Sequence, residues 1–177
     1  MNPKLKFIHP NMKGTGTTVE FELRPATELD MGCMLVSFTP QKTIGDMQKR
    51  VFPTFDYEKK VTVKLTLLEV AEIVGVLKGF YESIAEGNGF FHKSLKGTTV
   101  VRMEHKVEPA PGYWFSVYRK NVAGEESKAG ILFKAVEGLA LQSCLEGAMF
   151  YMGFGDVGRY GYRNGGSETT SAERKSV

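Results

Sequence analysis

Cysteine is scarce in this chain. Of 177 residues only Cys33 and Cys144 are cysteine, with no Cys-x-x-Cys pair and no histidine at metal-ligand spacing. That argues against a metal ribbon or a disulfide scaffold, suits a reducing compartment, and leaves both thiols expected in the core as small apolar groups. Histidine is as sparse, with His9, His92 and His105 scattered along the chain. GxSxG, HExxH and GxxxxGK[ST] are missing, so no nucleophile, metal or phosphate-loop arrangement can be assembled, and neither catalysis nor a cofactor is expected. The stretch Lys13-Gly14-Thr15-Gly16-Thr17 looks like part of a phosphate loop, but it runs into a β-type segment and lacks the Gly-Lys-Ser/Thr end.

A strong charge of either sign is also lacking. Lysine and arginine number 23 against 20 acidic residues, a net +3 that does not announce a polyanion partner from composition alone. The opening MNPKLKFIHPN has no apolar core for a signal peptide and is not an Arg/Ser-rich transit sequence, so a cytoplasmic protein is expected. The most apolar window, 135–155, carries Glu137, Gln142 and Glu146, which would be costly in hydrocarbon. It is expected to be a buried helix. The length fits one domain that buries roughly 70% of its unfolded surface.

Repetition is what the chain does contain. Met12-Lys13-Gly14-Thr15 is echoed by Leu95-Lys96-Gly97-Thr98, and the segment 60–79 lies over 128–147 without a gap at a constant offset of 68. Lys60/Lys128, Glu69/Glu137, Leu77/Leu145 and Gly79/Gly147 are identical, while Val63/Ile131, Leu65/Phe133 and Ile73/Leu141 keep apolar character. The chain therefore reads as two copies of one unit. Each unit is strand, strand, strand, helix. Val19, Phe21 and Leu23 alternate with polar neighbours, as do Val61, Val63 and Leu65, the pattern of half-buried antiparallel strands, and the segment 33–38 lies between them. Thr66-Leu67-Leu68-Glu69 fits a capping box opening a helix over about 67–80. The second unit has strands over 98–106, 113–120 and 128–133 and a helix over 135–152. Both helices are apolar nearly all round, which invites oligomerisation. The class is α+β: residues 1–155 form the domain, and the Gly/Ser/Thr-rich 156–177 are expected to be a disordered tail.

The polar faces of these strands carry the functional signal. Lys60, Thr62 and Lys64 share one side of a strand, Lys128, Gly130 and Leu132 one side of another, and Trp114, Ser116, Tyr118 and Lys120 one side of a third. Cations interleaved with aromatics suit single-stranded nucleic acid, the cations following phosphates while bases stack on rings. Alternating Lys and Thr is equally what any exposed strand face looks like. Phe52, Phe55 and Tyr57 fit loop residues pinned to the core or a stacking platform, and Phe90-Phe91-His92 reads as a buried linker anchor. Lys13 and Lys96, each before a glycine, are turn residues or phosphate contacts.

Taken in order, Met12-KGTGTTVEFELRPA-26, Phe55-DYEKKVTVKLTLLEVAEIVGVLKGFYESIAEGNGFFHKSLKG-97 and Val107-EPAPGYWFSVYRK-120 resemble the Whirly family of single-stranded-DNA-binding proteins. The resemblance implies two antiparallel four-stranded sheets packed through helices as a pseudo-repeat, and a homotetramer assembled through those helices. It also implies sequence-tolerant binding of single-stranded DNA along the sheets, in replication, recombination or repair. The family's Lys-Gly entry motif matches Lys13-Gly14, its aromatic-Asp-aromatic stretch matches Phe55-Asp56-Tyr57, and its basic outer-face positions fall at Lys60 and Lys64. A second family lysine is replaced by Thr15, which bears on higher-order assembly and part of the DNA grip. The candidate site is thus Lys13, Phe55, Tyr57, Lys60, Lys64, Lys96, Trp114, Tyr118, Lys120 and Lys128. RNA binding on the same fold and an oligomeric protein scaffold are the competing readings, and no membrane partner is expected.

Overall fold

The computed structural model describes residues 2–46 and 48–155. In chain order these form β1 (Lys4–His9), β2 (Thr17–Arg24), β3 (Cys33–Pro40), β4 (Val61–Leu65), α1 (Leu67–Leu77), β5 (Phe90–Ser94), β6 (Gly97–Lys106), β7 (Gly112–Asn121), β8 (Glu126–Phe133) and α2 (Ala135–Phe154). The strands make two four-stranded sheets, ordered β1-β2-β3-β4 and β5-β6-β7-β8, and every pairing is antiparallel. Each sheet is a meander followed by a helix, so the duplication seen in the sequence is a duplication of structure.

The periodicity missed one strand in each half. β1 is a short edge strand confined between Pro3 and Pro10, and β5 begins in the Phe90-Phe91 doublet, where alternation cannot tell inside from outside. Phe90-Phe91-His92 is therefore an edge strand and not a linker anchor: Phe90 points inward and is buried, while Phe91 points outward and is 65% exposed. The two Lys-Gly-Thr echoes occupy equivalent places, the β1–β2 and β5–β6 connections. The extra length of the first half is a hairpin arm over residues 41–56, closed by bridges between Gln41 and Phe55 and between Asp46 and Val51.

Alternation gives each sheet one apolar face, and the two faces close on each other. Phe7, Phe21 and Phe38 from the first sheet meet Phe115 and Phe133 from the second: Phe21 stacks on Phe115 at 5.8 Å, Phe38 lies 5.0 Å from Phe115, and Phe7 lies edge-on to Phe133 at 4.8 Å. Such pairs contribute about 0.5–1.5 kcal/mol each beyond the area they bury. α1 packs on β3 and β6, and α2 on β2, β7 and β8, so each helix is shared by both sheets.

The helices start where the sequence predicts. Thr66 Oγ1 accepts the Glu69 N–H (3.3 Å) while Glu69 Oε2 accepts the Thr66 N–H (2.8 Å), a complete capping box. α1 ends at Leu77, three residues earlier than expected, because Gly79 turns the chain with φ +76°. Phe80 is left outside the helix and exposed. The two helices are joined by Lys78 and Glu146 at 2.6 Å, and the Tyr113 hydroxyl donates to the Leu77 carbonyl at 3.1 Å. His9, from the edge strand of the first sheet, reaches Glu137 at the start of α2 at 2.6 Å. Burial works to raise the Glu137 pKa, but the Lys134 backbone N–H and His9 outweigh it and hold the carboxyl below its ordinary value.

Two expectations about burial need correction. Cys33 is in the core, but Cys144 is exposed, because it lies on the side of α2 that faces away from both sheets. α2 buries only Gly138, Leu141, Leu145, Ala148 and Met152, leaving Val136, Leu139, Phe150, Tyr151 and Phe154 at the surface of the single chain. No described helix is long and apolar enough to cross a membrane. The tail expected over 156–177 lies outside the described residues. Phe115, fully buried at the centre of the aromatic joint, tests this packing: Phe115→Ala should cost about 3–5 kcal/mol in urea unfolding, and a loss under about 1 kcal/mol would mean the sheets are held by something else.

Candidate nucleic-acid interface

The inner side of each strand is committed to the core, so the outer faces are what the fold offers to a ligand. On the second sheet the register lines up four outward rows: Phe91, Val100, Tyr118, Lys128; then Lys93, Thr98, Lys120, Glu126; then Arg102, Ser116, Gly130; then Glu104, Trp114, Leu132. Trp114 is the single tryptophan of the chain and 37% exposed. Its indole lies along the sheet over Gly130, where a Cβ would sit 2.5 Å from the ring carbon Cζ2. Glycine at 130 therefore leaves the room that the six-membered ring of the indole occupies. The Lys128 ammonium lies 5.2 Å from the centre of the Tyr118 ring, a cation–π contact. The Glu126 carboxylate beside the Tyr118 hydroxyl pushes that phenol's pKa up. The four rows carry four cations against two carboxylates, arranged around a strip of aromatic and small residues.

One end of this sheet is basic. Lys96 sits in the β5–β6 turn, one position beyond the Gly97 and Asn121 pair, beside the row containing Lys93 and Lys120. A cleft of about 520 Å³ then separates the β7–β8 hairpin from the entry to β4 and is lined by Lys59, Lys60, Arg119, Glu58 and Glu126, among others. Lys60, predicted for the first sheet, is thereby brought to the end of the second.

The first sheet presents a different surface. Its outward rows read Lys4, Glu22, Leu35, Lys64 and Lys6, Glu20, Ser37, Thr62. Lys4 bonds Glu20 at 2.9 Å and Glu22 at 3.0 Å, and Arg24 bonds Glu22 at 2.8 Å. The Lys4 ammonium, with help from the Asn2 amide, holds the Glu22 carboxyl down at about 2. Both carboxylates neutralise Lys4, and Glu22 neutralises Arg24 as well. Lys64 is exposed in the first row.

Lys13, Phe55 and Tyr57 belong to the loop and arm around the first sheet. Asn11 Oδ1 accepts the backbone N–H groups of Lys13 and Thr15, each at 3.0 Å. The buried Gln41 amide then locks the turn: its oxygen accepts from the N–H groups of Asn11 (2.8 Å) and Gly16 (3.1 Å), and its nitrogen donates to the carbonyls of Asn11 (3.0 Å) and Thr43 (2.9 Å). With those amides occupied, the turn is no phosphate cradle, and Lys13 offers only its exposed side chain. Phe55 is half-buried at the base of the arm, while Phe52 and Tyr57 are exposed.

Of the predicted residues, the second sheet gathers Trp114, Tyr118, Lys120, Lys128 and Lys96, with Lys60 at its end. Lys13, Phe55, Tyr57 and Lys64 remain with the first sheet. Sequence reasoning missed Phe91, Lys93, Arg102 and Lys6, all on edge strands or the unremarked half of β6. For Lys6 the signal was present in the alternation of Lys4 and Lys6 with Leu5 and Phe7. Gln41 carried none, because its role depends on the Asn11 turn folding back onto it.

No protein-family model and no curated protein matches this sequence. Solved structures of Whirly proteins share its architecture. WHY1 from Arabidopsis thaliana matches with a TM-score of 0.63 at 19% identity, over 93% of this chain and 92% of that one. WHY3 from the same plant gives 0.62 at 19% over 92% and 95%, and the plant transcriptional regulator PBF-2 gives 0.65 at 18% over 93% and 96%. At this identity the likeness establishes the fold.

Gly130→Ala tests the room left for the indole. The indole should be lifted into water, red-shifting the emission of the chain's single tryptophan, while unfolding free energy changes by less than about 1 kcal/mol. Unchanged emission would show that Trp114 does not depend on Gly130 for its position.

Proposed function

We propose that this chain, which has the Whirly fold, binds single-stranded DNA with little regard to sequence and catalyses no reaction. The observation that carries the reading is the outer face of the second sheet. There the partly exposed Trp114 and Tyr118 and the exposed Phe91 lie on the outer side among Lys93, Arg102, Lys120 and Lys128. A base stacked on an aromatic ring contributes about 1–3 kcal/mol, and any base has a face to stack, so such a surface gains affinity without reading sequence. The mild net charge is compatible with this, because stacking supplies part of the binding and the outer face of the second sheet carries four cations against two carboxylates. Duplex DNA keeps its bases paired and stacked, so only a single strand can lay them on this surface. A sequence-tolerant binder of this kind serves replication, recombination or repair.

The chain acts as a homotetramer in this reading. Leu68 on α1 and Val136, Leu139, Phe150 and Phe154 on α2 are exposed apolar groups on helices whose other sides are already in the core. Covering them with other copies removes that surface from water and leaves the outer sheet faces free. Light scattering after size exclusion should give about four chain masses for the wild-type protein. Leu139→Glu with Phe150→Glu should release smaller species that keep their β signal, and a wild-type monomer would remove this part of the proposal.

The binding itself is tested by fluorescence anisotropy with a labelled mixed-sequence strand of about 30 nucleotides, long enough to cover more than one binding face, against the matched duplex and RNA. The expected result is preference for single-stranded DNA, tryptophan quenching on binding, and log K falling against log salt by about 0.7 per neutralised phosphate. Equal or tighter binding of RNA would change the assigned ligand, and no binding to any of the three would leave an oligomeric scaffold as the better account.

A further inference from the structure

His9 and His92 occupy equivalent places in the duplicated unit. They are 83 positions apart, the offset that also relates Met12-Lys13-Gly14-Thr15 to Leu95-Lys96-Gly97-Thr98, and each lies on the edge strand of its own sheet, His9 on β1 and His92 on β5. Beyond the hairpin arm the offset shortens to 68, and there Glu69 and Glu137 are equivalent, each in the first turn of the helix that follows its sheet. The fold pairs these four residues crosswise. His9 Nε2 lies 2.6 Å from Glu137 Oε1 and His92 Nε2 lies 3.0 Å from Glu69 Oε1, so the edge strand of each half reaches the helix of the other.

Each glutamate serves two elements with its two oxygens. Glu69 Oε2 accepts the Thr66 N–H and the Thr66 hydroxyl, both at 2.8 Å, and Glu137 Oε2 accepts the Lys134 N–H at 2.9 Å, so one oxygen closes the start of the helix. The other oxygen holds the histidine. His9 is hydrogen-bonded to Glu137, whereas His92 sits at ion-pair distance from Glu69 without the alignment of a hydrogen bond, so its hold is electrostatic. An edge strand needs such a tie, because short strands with a neighbour on one side open before the rest of a domain. Among the described residues the five-residue β5 pairs with β6 alone, and the six-residue β1 with β2 alone.

The two latches hold different surfaces in place. The chain neighbours of His92 are Phe91 and Lys93, both on the outer face of the second sheet; those of His9 are Ile8 and Pro10, which bring neither a cation nor an aromatic ring to that face. We infer that the His92–Glu69 contact positions the nucleic-acid face: by holding β5 from its inner side it fixes where Phe91 and Lys93 stand in the rows that contain Tyr118 and Lys120. This rests on the single-strand binding proposed above and assigns to it two positioning residues, His92 and Glu69, that act through their neighbours. With the latch released, Phe90 is the buried inner anchor that remains, at the start of the strand, and the Lys93 end gains freedom.

The duplicated latch supplies the control. His92→Ala and His9→Ala each remove one partly exposed pair, so each should lower the thermal midpoint by up to about 4 °C. Only His92→Ala should weaken binding of the labelled mixed-sequence single strand, by roughly two- to fivefold, the weight of one such pair. Glu69→Gln keeps an oxygen to cap α1 while removing the charge that faces His92; it should reproduce the loss of affinity, and combining it with His92→Ala should add nothing further. Wild-type affinity in both His92→Ala and Glu69→Gln, or an equal loss in His9→Ala, overturns the positioning role and leaves the second-sheet interface standing. Failure of the wild-type protein to bind removes both.

Discussion

Five phenylalanines hold the two halves of this protein together, and the placing of every outward residue follows from them. Phe7, Phe21 and Phe38 from one sheet and Phe115 and Phe133 from the other form a joint in which each ring touches at least one ring across the gap. Strand side chains alternate strictly, so fixing Phe115 inward forces Trp114 and Ser116 outward, and fixing Phe21 inward does the same for Glu20 and Glu22. A slip of one residue in register would exchange the aromatic strip for the core. Packing at the centre and stacking at the surface are thus one constraint seen from two sides.

Duplication brought the two halves the same scaffold but not the same surface. The outer face of the first sheet is crossed by ion pairs, with Lys4 and Arg24 closing on Glu20 and Glu22. The corresponding face of the second sheet has aromatic and small residues at its centre, and glycine at 130 where an added side chain would lift the indole. One face is electrostatically self-satisfied, and the other leaves apolar rings in water. The free energy available to a ligand is greater on the second, because removing ring surface from water is favourable whereas displacing an existing ion pair returns little.

The helices complete the arrangement from the opposite direction. Each uses one side to cover both sheets and exposes apolar groups on the other; the capping box of Thr66 and Glu69 marks where the first begins, and the Lys134 N–H donating to the Glu137 carboxylate marks the second. Assembly through those sides would hide the surface the single chain leaves exposed and keep the sheet faces outward. On the proposed reading, structure, assembly and binding would occupy three different surfaces of one small domain.

The sequence by itself determined the antiparallel class, the internal repeat, the capping box and the outward direction of Trp114, Tyr118, Lys120 and Lys128, because periods of two and of about 3.6 are local properties of the chain. It could not supply β1 and β5 from pattern, since five or six residues at a sheet edge carry too little alternation. The Whirly resemblance implied a four-stranded sheet in each half, and the fold bears that out. Only the tertiary structure decided that Cys144 faces outward, that Gln41 fills the Asn11 turn, and that Glu20 prefers Lys4 to the Lys6 directly opposite it. It alone brought Lys6 to Tyr57. Those facts are contacts between residues distant in sequence, and no local pattern encodes which of several equally charged neighbours a side chain will reach.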